Sequence, residues 1–167
     1  MGALDGMRIE PARPPDLDGL GREFPDLHDY YRSRLRQPGG VLLVARVGRP
    51  VGAVFVSAEP PREHELVRRL GLIPTLHKLM VTAPLRNRRI GTRLILAAEN
   101  VKPVRKVRRL AVGVDTDNEG ARRLYRRLGY REWAYGLLDT VRERLDPSGR
   151  LVTEPDRCFI YVKLLNC

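Results

Sequence analysis

The order of apolar runs predicts a mixed α/β (α+β) fold in one domain spanning residues 1–167: a central sheet of about seven strands flanked by about four helices. Three observations carry this reading. Strand-like apolar runs recur along the chain, two of them close enough in sequence to form a hairpin. The middle of the chain reads strand, helix, strand, helix, with further strand-like runs on either side. The length, 167 residues, is enough for one full core and short for two.

Residues 7–12 alternate as a first strand, Pro14-Pro15 ends it, and Asp16 is placed to cap a helix that soon meets Gly19 and Gly21. Residues 26–36 put Leu27, Tyr30, Tyr31 and Leu35 on one helical face, and Pro38-Gly39-Gly40 stops that helix. Residues 41–47 and 51–57 are strands joined by Gly48-Arg49-Pro50. Residues 59–71 read as a partly helical excursion, longer than a hairpin needs. A strand over 76–81 breaks at Pro84 and passes an Arg-rich turn into a helix striped by Ile90, Leu94, Ile95, Ala98 and Val101, which Pro103 ends. Residues 109–115 form a strand with Leu110, Val112 and Val114 in alternation. Residues 118–130 hold a helix with Ala121, Leu124, Tyr125 and Leu128 on one face and Gly129 as its stop. A strand over 130–135, a short helix over 137–145, a turn at 146–149 and an apolar strand over 158–165 complete the chain.

Residues 79–92, Leu-Met-Val-Thr-Ala-Pro-Leu-Arg-Asn-Arg-Arg-Ile-Gly-Thr, are the chemically suggestive stretch. A helix N-terminus presents unpaired N–H groups and the positive end of the helix dipole, so a loop leading into one cradles phosphate. The spacing resembles the acetyl-CoA motif of the GNAT N-acetyltransferase superfamily, Arg/Gln-x-x-Gly-x-Gly/Ala after a strand ending in Val. Val81 stands five residues before Arg86, and Arg86-Asn87-Arg88-Arg89-Ile90-Gly91 takes the frame, with Arg89 where the family has its first glycine. Arg89 is expected in helical φ/ψ, donating its N–H and pointing its side chain outward. A second stretch resembles the superfamily's Asn-x-x-Ala-x-x-x-Tyr-x-x-x-Gly-Phe/Tyr and matches it at Asn118, Ala121, Tyr125, Gly129 and Tyr130.

The resemblance implies a GNAT-like sheet splayed between its central strands where acetyl-CoA (coenzyme A) enters. It implies a cofactor site of Met80, Val81, Arg86, Asn87, Arg88, Arg89, Ile90, Gly91 and Thr92, joined by Asn118 and Tyr125. The activity implied is acetyl-CoA-dependent N-acetyl transfer, directly to a primary amine of a small molecule or peptide, by a monomer or homodimer. Such transfer needs a donor to the carbonyl oxygen, an acid for the leaving thiolate and an acceptor for the amine proton. The backbone N–H of Met80 or Val81 matches the first, and Tyr125 the second, although periodicity alone would also bury it. Asn118 matches the residue that holds the pantetheine arm and is equally a helix N-cap. Many members carry a Glu as base six residues before the Val, where this chain has Thr75. His77, by alternation on the face of Leu79 and Val81, resembles the strand histidines of arylalkylamine N-acetyltransferases. Glu59, Glu63, His64 and Glu65 are rivals, as is water. Asp26, His28, Asp29, Tyr30 and Tyr31 fall where the superfamily lines its acceptor pocket; a solvated helical face is the alternative.

The charge is +11, and its excess is confined to residues 66–131, where 17 Lys/Arg face 4 Asp/Glu. A polyanionic cofactor uses part of that excess, leaving nucleic acid as a less favoured partner and a non-catalytic GNAT-fold module binding acyl-CoA or nucleic acid as the alternative function. At 43% hydrophobic and 31% charged, the chain is globular and not disordered. No run reaches the roughly eighteen apolar residues of a membrane span, and residues 1–7 lack the pattern of a secretion signal, so a cytoplasmic protein without membrane contact is expected. Cys158 and Cys167 have no Cys/His pattern around them, so no metal site and no cysteine chemistry are expected.

Overall fold

The computed structural model describes residues 4–166, with Leu145 described by its backbone alone; the reading of Cys167 falls outside the described residues. Among the described residues, eight strands form one sheet: β1 (Arg8–Pro11), β2 (Gly40–Arg46), β3 (Pro50–Ser57), β4 (Thr75–Val81), β5 (Arg109–Asp115), β6 (Arg131–Glu132), β7 (Leu138–Leu145) and β8 (Leu151–Leu164). Six α-helices among the described residues accompany it: α1 (Asp16–Glu23), α2 (His28–Leu35), α3 (His64–Leu70), α4 (Ile90–Ala98), α5 (Lys102–Val107) and α6 (Glu119–Arg127). The sheet order is β1-β2-β3-β4-β5-β8-β6, with β7 also on β8. Among the described residues only β4 and β5 run parallel. Among the described residues no helix is long and apolar enough to cross a membrane.

The sheet is covered on both faces, which is why residues 41–47 and 51–57 read as continuous apolar runs. Leu43, Ala45, Val54 and Val56 pack with Ile90, Leu94 and Ile95 of α4 and Tyr125 of α6. Their alternates Leu42, Val44, Ala53 and Phe55 pack with Leu20 of α1 and Tyr31 of α2. At Gly52 a Cβ would lie 2.9 Å from the Met80 carbonyl oxygen, so glycine is what lets β3 approach β4 there.

Four expectations are corrected. The helix expected over 137–145 is strand β7. Its charged residues meet partners across the ladder, Asp139 with Arg157, Arg142 with Asp156 and Arg144 with Glu154, and these cross-strand pairs override a locally helical sequence. The turn at 146–149 closes that hairpin through hydrogen bonds to Asp146, so the final strand begins at Leu151, earlier than expected. Pro103 opens α5 instead of ending α4, occupying the first turn where its missing N–H leaves no bond unmade. The strand over 130–135 shrinks to β6.

Asp16 is also not a cap: Pro15 holds that position and makes no side-chain cap. Asp16 is buried and accepts hydrogen bonds from the Arg13 N–H at 2.7 Å and from the Arg46 guanidinium, which also reaches Glu10. This network fastens α1 to β2. Arg46 first, and then the Arg13 N–H, hold the Asp16 carboxyl below the usual carboxylate range against the opposing effect of burial. A carboxylate with a lowered folded-state pKa stabilises above its unfolded pKa of about 3.9, and that contribution disappears as pH falls through the lower folded value. Asp16→Asn should therefore cost about 1.5–3 kcal/mol at neutral pH, the usual worth of a hydrogen bond to a charged group, since Arg46 keeps Glu10 as a partner. It should also flatten the stability profile below about pH 4, and urea denaturation across a pH series measures both effects.

Candidate functional site

The central feature is a parting of the sheet. β4 pairs with β5 only at Thr75–Ala111 and Leu76–Val112, while it stays paired with β3 to Val81. The register on β3 slips between Ala53 and Phe55, where β4 carries one extra residue, and Lys78 there has φ +52°. This is a β-bulge. The Tyr31 hydroxyl donates to the Lys78 carbonyl at 2.9 Å, tying the bulge to α2. The extra residue shifts the phase of alternation, which corrects the placement of His77. Leu79 and Val81 face α4 and α6 with Leu76, whereas His77 lies with Thr75 on the α1–α2 side, next to Phe55.

Beyond the bulge, the Thr82 N–H donates to the Val51 carbonyl. Strand alternation then turns the N–H of Val81 away from β3 and into the gap left by β5, whereas Met80 is paired with Ala53. The Val81 carbonyl accepts a 3.2 Å bond from Arg86 Nε, which seats Arg86 at the mouth of the gap. Between β4 and α4 the chain makes a 3-10 turn (Ala83–Leu85) and two left-handed residues, Asn87 at φ +61° and Arg89 at φ +65°.

Arg89 is therefore the N-cap of α4 in left-handed backbone, not the helical residue expected. It adopts the conformation that glycine takes most easily at the motif position. Among the described residues, the N–H groups of Ile90, Gly91 and Thr92 have no protein acceptor, and the first turn of α4 has no acidic residue. Arg86, Asn87, Arg88 and Arg89 are exposed around that turn. This is an anion cradle of backbone dipoles with mobile cations at its rim. A Cβ on Gly91 would lie 3.8 Å from both Leu79 of β4 and Leu124 of α6, so the two motif helices meet at the edge of the gap.

On α6, Asn118 Oδ1 accepts the Ala121 N–H at 3.1 Å, the N-cap reading. Its amide NH2 makes no hydrogen bond among the described residues. Tyr125 is 3% exposed and packs edge-on against Tyr130 with ring centroids 5.3 Å apart. Its hydroxyl makes no hydrogen bond among the described residues, and burial raises its pKa, so the phenol keeps its proton at neutral pH.

His77 Nε2 is 2.7 Å from Thr75 Oγ1, leaving Nδ1 as the open nitrogen. Desolvation by the surrounding protein, and then the charge of Arg34, push its pKa down to about 4. More than a third of the residue still faces solvent, so water in the cleft offsets part of that desolvation. Of the rival bases, Glu63 accepts a hydrogen bond from Thr140, Glu65 is paired with Arg68 and Arg69, and Glu59 and His64 are exposed. Of the acceptor-side residues, Asp26 and Asp29 are solvated, and Asp29 reaches only His28, at 3.7 Å. Tyr31 is fully buried and props the bulge, leaving Tyr30, edge-on to Phe55, to line the cleft beside His77. Arg34 and Lys78 also border this corner, unforeseen from sequence. The spacing of Tyr30 and Arg34 on α2 was a signal for the first; nothing marked the bulge that presents the second.

A second concavity, about 620 Å³, lies at the far end of the sheet, lined by Glu99, Asn100, Arg105 and Lys163 among others. Its carboxylate is already held by Lys163 and the Tyr130 hydroxyl, and residues 86–92 do not line it, so the site is placed in the gap. Among the described residues no group of His, Cys, Asp and Glu could hold a metal ion.

The sequence model of the Acetyltransferase (GNAT) family matches residues 7–130. No curated protein matches the chain. Among solved structures, the fold is similar to ribosomal-protein-alanine N-acetyltransferase from Brucella melitensis (25% identity, TM-score 0.67, 95% of this chain and 99% of that one). It is also similar to Arabidopsis thaliana NAA60 in complex with acetyl-CoA (21%, TM-score 0.68, 96% and 99%). A third similar structure is a GNAT-family acetyltransferase from Streptococcus pneumoniae (18%, TM-score 0.63, 95% and 99%).

Left-handed backbone costs a non-glycine residue about 1–2 kcal/mol, and glycine returns about half of that through its more flexible unfolded chain. Arg89→Gly should thus match or exceed the parent in stability by up to about 1 kcal/mol, while β-branched Arg89→Val should fall below it. Denaturant midpoints of the three proteins decide the matter.

Proposed function

The chain belongs to the Acetyltransferase (GNAT) family, and from that premise we propose that residues 1–167 act as one catalytic domain that transfers acetyl from acetyl-CoA directly to a primary amine of a small molecule or peptide. The observation that carries the proposal is the parting of β4 from β5 after two residue pairs, which leaves a Val81 N–H and the bare N-terminus of α4 on one gap. The cradle of residues 86–92 suits a pyrophosphate, and the gap suits a narrow chain ending in a thioester. Arg89 fits this role because its left-handed φ keeps the loop in the turn a glycine would make.

Bound there, acetyl-CoA supplies an acyl group activated for attack by an amine. The Val81 N–H, fixed by strand pairing, donates to the carbonyl oxygen as negative charge grows on it. Asn118 offers its free amide NH2 to the arm of the coenzyme while capping α6. Tyr125, protonated and without another partner, gives its proton to the departing sulfur. His77, neutral at neutral pH, accepts the amine proton at Nδ1 directly or through water. Direct transfer fits Cys158, the cysteine among the described residues, which is no acyl carrier: it is buried, and desolvation pushes its thiol up to about 12, so the thiolate is scarce.

Acetyl-CoA titration of the protein should saturate, and thiol release should follow on addition of a suitable amine from a chemically mixed panel. Tyr125→Phe and His77→Ala should each lower kcat by about 10²–10⁴-fold, the usual contribution of a positioned acid or base, with little change in coenzyme affinity. Saturable binding without thiol release across the panel would point instead to a non-catalytic acyl-CoA module. An unchanged rate in Tyr125→Phe, where chemistry limits turnover, would remove that residue from the mechanism.

A further inference from the structure

We infer that the acceptor is a zwitterion, an amine carrying a carboxylate a few bonds from its nitrogen, with Arg34 and Lys78 receiving the carboxylate. This rests on the acetyl-transfer reading for the reaction, but the charge arrangement stands by itself. Arg34 is half-buried on α2, its guanidinium carbon 4.6 Å from the centroid of the Tyr30 ring and 5.7 Å from that of Phe55. Lys78, on the bulge, places Nζ 5.9 Å from the same Tyr30 centroid. Phe55 in turn stands 6.3 Å from His77, so both cations border the corner where the amine must arrive.

Neither cation has a carboxylate partner among the described residues, and neither does Arg62, whose charge also reaches Tyr30 and His77. Lys78 and Arg62 are exposed, but Arg34 is half-buried, and the other half-buried cations among the described residues all have a partner. Arg46 holds Asp16 and Glu10, Arg122 lies 3.9 Å from Glu132, Lys163 holds Glu99, and Arg109 donates to the Leu70 carbonyl. A guanidinium removed from much of its water and left without a counter-charge is unfavourable, and a ligand anion is what relieves it. Arg34 reaches only the rings of Tyr30 and Phe55 and the Tyr30 hydroxyl, none of which carries a charge at neutral pH.

Negative charge lies on other elements of the same cleft. Glu63, the residue preceding α3, acts on His77, and Glu143 of β7 acts on Tyr30. The α3–β7 side thus offers an ammonium two carboxylates, Glu63 beside Arg62 and Glu143, and the α2–β4 side offers a carboxylate Arg34 and Lys78, with Tyr30 and Phe55 between them. A simple alkylamine satisfies only half of this arrangement. A free amino acid and a peptide beginning with an acidic residue both satisfy all of it.

The test uses the protein of residues 1–167 loaded with coenzyme A and two matched pairs of probes. L-methionine against L-methioninamide represents free amino acids, and amidated peptides beginning Asp-Ala against Asn-Ala represent acidic N-termini. Calorimetric binding, and thiol release with acetyl-CoA, should favour the acid by at least tenfold in one pair, and that pair identifies the source. Arg34→Gln should bring the acid down to the level of its amide, Arg34→Lys should keep part of the preference, and Lys78→Gln should weaken it; circular dichroism confirms that each variant is folded. Equal or better binding of the amide in both pairs, no saturable binding of any probe, or a preference that survives Arg34→Gln in the folded protein overturns the inference. Selective binding of the acid without thiol release supports this site and defeats the acetyl-transfer reading, whereas thiol release with amides alone does the reverse.

Discussion

One extra residue in β4 sets the terms for everything around it. A strand that kept perfect register with β3 would either continue its pairing with β5 or leave it with every backbone group in an unaltered phase. The bulge at Lys78 lets β4 hold β3 and leave β5 within seven residues. It turns a carbonyl to α2 and reverses which side chains face α4 and α6. Left-handed backbone at a lysine costs roughly 1–2 kcal/mol, so this geometry persists because its surroundings oppose relaxation. The Tyr31 hydroxyl holds the carbonyl from a fully buried ring, and the absence of a side chain on Gly52 lets β3 close against Met80.

The two halves of the cleft use different electrostatics. On the coenzyme side the positive field comes from the backbone, at the bare first turn of α4, with arginines exposed at its rim. The first turn of α1, away from the gap, carries Asp16 and Asp18, and that of α6 carries Glu119. Of the two helices whose first turn carries no acid, α4 and α5, α4 is the one aimed at the gap. On the side proposed for the acceptor, half-buried Arg34 rests on the Tyr30 and Phe55 rings, a firmer arrangement than exposed arginines provide. Only part of the basic excess in residues 66–131 is therefore engaged in the cleft; Arg122 stacks 3.9 Å from the Phe159 ring and serves packing.

Local chemistry made much of this legible before any coordinates. Apolar periodicity located β2 to β5 and α6, and the Asn118-to-Tyr130 spacing located the helix that lines the gap. Where the reading failed, the deciding partner was distant in sequence. Residues 137–145 look helical because Arg and Glu favour helices, and only the facing strand, with Asp156 and Glu154 at ladder positions, makes them a strand. Asp16 carries the mark of a cap but answers to Arg46, thirty residues later. Alternation put His77 on the wrong face because nothing in Leu-His-Lys-Leu-Met announces a bulge; the bulge is held by a hydroxyl 47 residues earlier. Arg89 was assigned helical backbone because left-handed φ is rare outside glycine, although the motif's own glycine pointed to it.

The position of β8 has a kinetic consequence. Its residues 158–164 lie between β5 and β6, so the open edge of β5 is filled by a segment about fifty positions further along the chain. Pairing over such a separation must close a large loop before any contact rewards it, which slows folding. During synthesis β1 to β5 can assemble by nearer contacts while β5 still presents an unpaired ladder, the kind of edge that recruits other chains. The interval between translation of Asp115 and arrival of Cys158, its ladder partner, is thus when the nascent protein is most exposed to aggregation and has most need of a chaperone.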